Sequence, residues 1–145
     1  AALPKGHALH LSGVTFAWNA DDVAKVFRSF LEPGIENYKA IDIPNANYSS
    51  SSFDRVMKDG KVVGLSMFSG QSDNERSMLS LGVIDPDVKE GEVLTLVWGE
   101  ENGGTQKTTV ERHKQTEIRV KVAPVPYSRD ARESYADSWR TRQTA

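Results

Sequence analysis

Along Glu117–Ala123 the chain alternates without a break: Ile118, Val120 and Val122 are apolar, while Glu117, Arg119 and Lys121 are charged. A two-residue period of this kind marks a strand with one face on a core and the other in water. Less regular β-rich runs predict further strands over residues 8–18, 38–43, 53–58, 61–68, 78–84 and 93–98, with a short one over 107–110. Lys58-Asp59-Gly60-Lys61 places Asp-Gly between two such runs, which predicts a type I′ hairpin because that turn needs φ > 0 at both central residues. The register then sets Val56 opposite Val63, Met57 opposite Val62 and Lys58 opposite Lys61. The period changes only once near the start. Val23, Val26, Phe27, Phe30 and Leu31 recur at helical spacing, behind Asn19 as N-cap and with Asp21 and Asp22 in the first turn. Trp18 and Val23 are placed to form a hydrophobic staple, and Pro33-Gly34 predicts the helix end. A short helix is expected near the C-terminus.

These elements predict a mainly β fold, a small Greek-key-type β-barrel of about six or seven strands with one amphipathic helix near the N-terminus and a short C-terminal helix. Closure into a barrel or sandwich removes raw sheet edges. Three polar stretches interrupt the strands, at 45–52, 69–76 and 99–106. The loop Ser69–Arg76 is dense in hydrogen-bonding groups, and a rigid strand scaffold commonly presents such a loop to a ligand.

Composition narrows the classes. The 145 residues suggest one domain, with 38% hydrophobic and 26% charged residues, as in soluble globular proteins. Net charge is −2 with both signs interspersed, so the basic patch of a nucleic-acid binder is not evident. No apolar run approaches the roughly 20 residues that cross a bilayer. There is no cysteine, which excludes disulfides and favours a cytoplasmic location. The chain begins at Ala1, so either an initiator was removed or this is a piece of a larger protein.

Candidate chemistry is sparse. His7, His10 and His113 lack the spacing and companions of a zinc site, so no metal is expected. No G-x-S-x-G elbow and no phosphate-binding glycine loop occurs. Asn47-Tyr48-Ser49 matches a glycosylation acceptor, read as coincidental. Glu111-Arg112-His113 is either a polar cluster at the mouth of a ligand site or an exposed turn. Trp98 is either an aromatic platform or a core residue capping the barrel, and Tyr127 either anchors the tail or touches a substrate.

Asp54-Arg55-Val56, Gly60-Lys61-Val62-Val63-Gly64, the Ser69–Arg76 loop, Leu79-Ser80-Leu81 and Gly91 ahead of Val93–Trp98 together resemble the C-terminal barrel of the glycine-cleavage T-protein (aminomethyltransferase) superfamily. Trp18–Val23, Trp98-Gly99-Glu100, Val110–His113, Gln115–Arg119 and Val125-Pro126-Tyr127 are similar to its tetrahydrofolate-dependent aryl O-demethylases, the vanillate and syringate branch. The match runs from about Val14 to Tyr135. The resemblance implies transfer of a methyl group from an aromatic methyl ether to tetrahydrofolate. It also implies that the folate pocket and most catalytic groups belong to an N-terminal folate-binding domain of the same protein, and that this chain is the last third. No catalytic residue is therefore expected here. Arg140 and Arg142 are the positional candidates for an arginine near the folate, with Tyr127 and Arg112 as further cofactor-binding candidates.

The expected organisation is a lead-in over 1–13, the barrel with its preceding helix over 14–127, and a tail or helix over 128–145. The expected function is to close one side of a folate site, the fragment alone being inactive. The alternatives are a stand-alone β-barrel that binds a ligand or a protein, and a complete small enzyme.

Overall fold

The structure is a computed structural model, and it describes residues 11–43, 53–103 and 110–135. The elements are β1 (Ser12–Trp18), α1 (Ala20–Arg28), β2 (Asp54–Lys58), β3 (Lys61–Ser72), β4 (Ser77–Ile84), β5 (Val93–Trp98), β6 (Thr116–Ala123) and α2 (Arg129–Glu133). Among the described residues the six strands form one closed antiparallel barrel, in the order β1-β4-β3-β2-β5-β6. β1 closes the ring by pairing with both β4 and β6.

Alternation fills the interior. Phe16 and Trp18 from β1, Ile84 from β4, Leu94, Leu96 and Trp98 from β5, and Ile118, Val120 and Val122 from β6 are all buried together. Trp18 and Trp98 meet edge to face, with ring centroids 5.4 Å apart. Phe16 lies over Gly82, where a Cβ would stand 2.3 Å from its ring, so only glycine fits there. Three polar groups inside form a short chain: Trp18 Nε1 donates to Ser80 Oγ at 2.9 Å, and Ser66 Oγ to Ser80 Oγ at 2.7 Å.

α1 begins as the sequence predicts. Asn19 is extended, and its side-chain oxygen accepts from the Asp22 N–H at 3.1 Å. Asp22 then turns to β6, where its carboxylate accepts from the Arg119 backbone N–H and from the Arg119 guanidinium, each at 2.8 Å. This two-point latch fixes the helix on the barrel, and Val26 is its buried residue. The helix ends at Arg28, earlier than Pro33-Gly34 suggests. Ser29 is the reason: its buried hydroxyl donates to Val26 O at 2.6 Å and accepts from the Tyr38 N–H, which turns the chain. Phe30 and Leu31, beyond the turn, stay on the surface, Leu31 at 81% exposure.

The hairpin turn is as expected, with Asp59 at φ 49° and Gly60 at φ 75°. Met57 opposes Val62 and Lys58 opposes Lys61, but Val56 opposes Gly64 and not Val63, because a bulge shifts the register between Val56 and Met57. A second bulge lies between Met67 and Ser69. Beyond it β3 continues to Ser72, so the first half of the expected 69–76 loop is strand paired with β4, and the turn is confined to residues 73–76. Residues 38–43 form no strand; Tyr38 makes one isolated parallel bridge to Lys114. The short strand expected over 107–110 and the loop over 45–52 fall mostly outside the described residues. β1 starts at Ser12, two residues ahead of the expected barrel boundary.

Candidate functional site

Two recesses contain the described candidates, and they lie at opposite ends of β6. Arg112 precedes Thr116, the first residue of β6; Tyr127 follows Ala123, the last. Seven residue steps of an extended strand span about 23 Å. The structure thus does not bring Arg112 and Tyr127 together.

The first recess is polar, about 580 Å³, and is lined by Glu36, Glu100, Asn102, Arg112, His113 and Lys114 among others. His113 organises it from beneath. Its Nε2 accepts from the Glu100 N–H at 2.8 Å, so its Nδ1 carries the proton and donates to Glu111 O at 2.9 Å. Both ring nitrogens are consumed in holding the Glu100 and Glu111 loops, which makes His113 a structural histidine. Gly99, at φ 103°, lets the chain pass against that ring; a Cβ there would lie 3.1 Å from it. Glu111 and Arg112 are exposed, and the Arg112 carbonyl accepts from the Asn37 amide at 3.3 Å. In the Glu111-Arg112-His113 triplet the first two residues are exposed and the third is a buried anchor, and Arg112 and His113 line the recess.

Trp98 offers no platform. It is buried, donates from Nε1 to Lys39 O at 2.8 Å, and carries the Lys39 ammonium 4.9 Å from its ring centre. The reading of Trp98 as a core residue holds.

The second recess is an apolar groove of about 420 Å³ on the outer side of β1 and β4, where Tyr127 forms part of the wall with Leu79, Leu81, Val125 and Pro126. Thr15 forms part of its floor. Its Oγ1 is buried and has no hydrogen-bond partner among the described residues. Sequence reading passed over Thr15; the available signal was a polar residue at the outward position between Val14 and Phe16 in an otherwise apolar strand.

The shifted titrations belong to latches of the fold. The Arg119 guanidinium, through its side-chain hydrogen bonds, holds the Asp22 carboxyl below its ordinary value. Lys58 and Glu92 pair across β2 and the turn before β5, and each stabilises the other's charge, raising Lys58 and lowering Glu92.

Tetrahydrofolate has a flat, polar pterin and a carboxylate-bearing tail. Arg112 shares its recess with Lys114 and with Glu36 and Glu100, so the charges there are balanced, and Tyr127 faces a groove with apolar walls. Arg140 and Arg142 lie outside the described residues, as do His7 and His10. Among the described residues no cluster of three or more metal-ligating side chains occurs. No helix among them is long and apolar enough to cross a membrane.

No protein-family model matches the chain. It is 50% identical over 136 residues, 92% of its length, to a syringate O-demethylase of a Sphingobium species, and this covers 29% of that protein. It is 35% identical over 133 residues to a sesamin methylene transferase of a Sinomonas species, covering 27% of that protein. The chain thus spans less than a third of the length of either relative. The resemblance to the O-demethylase branch, drawn from the motifs, holds over nearly the whole chain.

Proposed function

We propose that this chain, similar to a syringate O-demethylase over nearly all of its length, is the barrel portion of a tetrahydrofolate-dependent aryl O-demethylase that closes one side of a folate site built mainly by an N-terminal domain. The observation that carries the reading is the 50% identity over 92% of the chain. A second observation supports a closing and positioning role over a chemical one. Relatives named for two different reactions, an O-demethylation and a methylene transfer, match across the same barrel. A portion shared by both reactions is a poor candidate for selecting the substrate and a good one for holding an arrangement.

The chemistry sets what the rest must supply. An aryloxide is a poor leaving group, so its oxygen needs a proton or a positive field, and the methyl acceptor must be held in line with the breaking bond. Several of the barrel's buried polar groups are spent internally: Trp18 and Ser66 on Ser80, His113 on Glu100 and Glu111. A rigid shell of this kind fixes position. Cytoplasmic location and an aromatic methyl ether as substrate belong to the same proposal.

The test has two arms. The 145-residue chain is assayed with tetrahydrofolate and either syringate or vanillate, and methyl transfer at the no-protein background is expected. The chain is then fused in place of the matching portion of the Sphingobium syringate O-demethylase, and syringate turnover is expected. Turnover by the chain alone would overturn the division of labour, and a folded but inert fusion would overturn the assignment.

A further inference from the structure

Of the six asparagines in the chain, Asn102 alone precedes glycine. It is exposed, stands at φ 61° and ψ 21° in the loop after β5, and lines the polar recess together with Gly103. Among the described residues its side-chain amide makes no hydrogen bond. The other described asparagines differ. Asn19 Oδ1 accepts from the Asp22 N–H at 3.1 Å and from the Arg119 guanidinium at 3.2 Å, and Asn37 Nδ2 donates to Arg112 O at 3.3 Å. Asn74 is exposed, but Glu75 follows it with a full side chain, and the Glu75 N–H donates to Ser72 Oγ. An asparagine amide carbon and the next backbone nitrogen can close on each other, and the rate of such an internal reaction depends on how freely the chain reaches the attack geometry. At ψ 21° the Gly103 nitrogen is turned away from the Asn102 side chain, so the Asn102 Cα–C bond must rotate before they meet. Little opposes that rotation. The Gly103 N–H donates to Glu100 O over a long 3.3 Å. A Cβ at position 103 would be wedged 3.2 Å from His113 O, and glycine has none.

We propose that Asn102-Gly103 is a site of internal deamidation, which converts Asn102 to aspartate and isoaspartate and makes the recess acidic. The Gly103 nitrogen gives its proton to solvent and bonds to Asn102 Cγ; the Cγ–Nδ2 bond breaks and ammonia leaves. Water then opens the cyclic imide at either carbonyl. Nothing is oxidised or reduced, and water is the only co-reactant, so the reaction is open to the chain whatever the activity of a longer protein. The new carboxylate joins Glu36 and Glu100 opposite Arg112 and Lys114, which tips a balanced set of charges towards the negative. The isoaspartate form also adds a carbon to the main chain between Glu101 and Gly103, close to the Glu100 N–H that His113 Nε2 holds.

The test follows each asparagine by peptide mass spectrometry while the 145-residue chain is incubated at mildly alkaline pH, folded in buffer and, in parallel, unfolded in guanidinium chloride. Isoaspartate is counted by enzymatic methylation of the same peptides. In the folded chain Asn102 is expected to convert at least about tenfold faster than Asn19, Asn37 or Asn74, and less than about tenfold slower than it does unfolded. Conversion at Asn74 that keeps pace with Asn102 would overturn the proposal. So would a folded rate at Asn102 more than about tenfold below the unfolded one, because the fold would then shield the pair. Asn102→Gln supplies an independent arm, since its longer side chain disfavours the five-membered imide. The parent is expected to develop a more acidic band on isoelectric focusing, and the variant, with the same circular dichroism at the start, to lack it. A band that forms equally fast in Asn102→Gln would place the reaction elsewhere and overturn the assignment.

Discussion

Replacing Gly82 with alanine should be among the most damaging single changes available to this fold. The added Cβ would lie 2.3 Å from Phe16 Cε2 and 2.5 Å from Leu65 O. Phe16 is fully buried, so its ring has no solvent-side escape. Leu65 lies in the β3–β4 ladder opposite Val83, so its carbonyl retreats only if that ladder moves. Overpacking a close-packed core costs about 1–3 kcal/mol, and with both a ring and a backbone obstructing, the upper end applies, about 3 kcal/mol. For a chain of this length that corresponds to a fall of roughly 6–12 °C in Tm. Gly91→Ala is the control: φ there is 90° and no atom stands within 4 Å of the added carbon, leaving conformational strain of about 1–2 kcal/mol alone. Urea unfolding at constant m measures both. Phe16→Leu should recover part of the Gly82→Ala loss, with a coupling of about 1 kcal/mol in the double-mutant cycle. The reasoning fails if Gly82→Ala costs less than about 1 kcal/mol, if Gly91→Ala costs more than Gly82→Ala, or if the two substitutions add without coupling.

Ser80→Ala removes the acceptor of Trp18 Nε1 and should cost about 2 kcal/mol in urea unfolding, the penalty of a buried donor left unpaired; an unchanged midpoint would contradict the pairing. Asp22→Asn should be less stable than the parent near neutral pH by up to about 1 kcal/mol, because Arg119 is largely exposed and solvent screens the pair. Arg119 depresses the Asp22 pKa from 3.8, so its contribution is present above that unfolded value and is lost as pH falls through the lower folded one. The two stability curves should converge on acidification, and a constant gap down to pH 2 would refute the latch. His113→Ala removes the acceptor of the Glu100 N–H and should destabilise the chain by about 1–3 kcal/mol in urea unfolding; an unchanged midpoint would contradict the anchor.

Much of the barrel was legible in the sequence wherever one local rule dominated. Asp59-Gly60 prescribed its turn because few residues tolerate φ > 0 twice in succession, Asn19 prescribed its cap, and the alternation after Thr116 prescribed β6. The bulges were not legible, since a binary pattern counts residues without recording where one is skipped; Gly64 takes the place opposite Val56. Residues 69–72 read as loop because serine, glycine and glutamine favour no strand, yet pairing with β4 supplies the structure that propensity withholds. Phe30 and Leu31 carried a helical period past the point where Ser29 had already turned the chain. The site was the least legible part. Arg112 and Tyr127 flank the strand that the alternation predicts, so their separation by β6 was legible, whereas Thr15 carried no motif at all.

The contact between Trp18 and Trp98 is an internal optical gauge. One indole belongs to β1 and the other to β5, strands with β6 between them in the ring, so their 5.4 Å separation persists only while that seam is shut. Loosening of β6, by heat, denaturant or a neighbour pulling on the chain, would part the two chromophores before the barrel comes undone. With Trp139 replaced by phenylalanine, the remaining emission would give a direct reading of seam integrity, with no label attached to the surface.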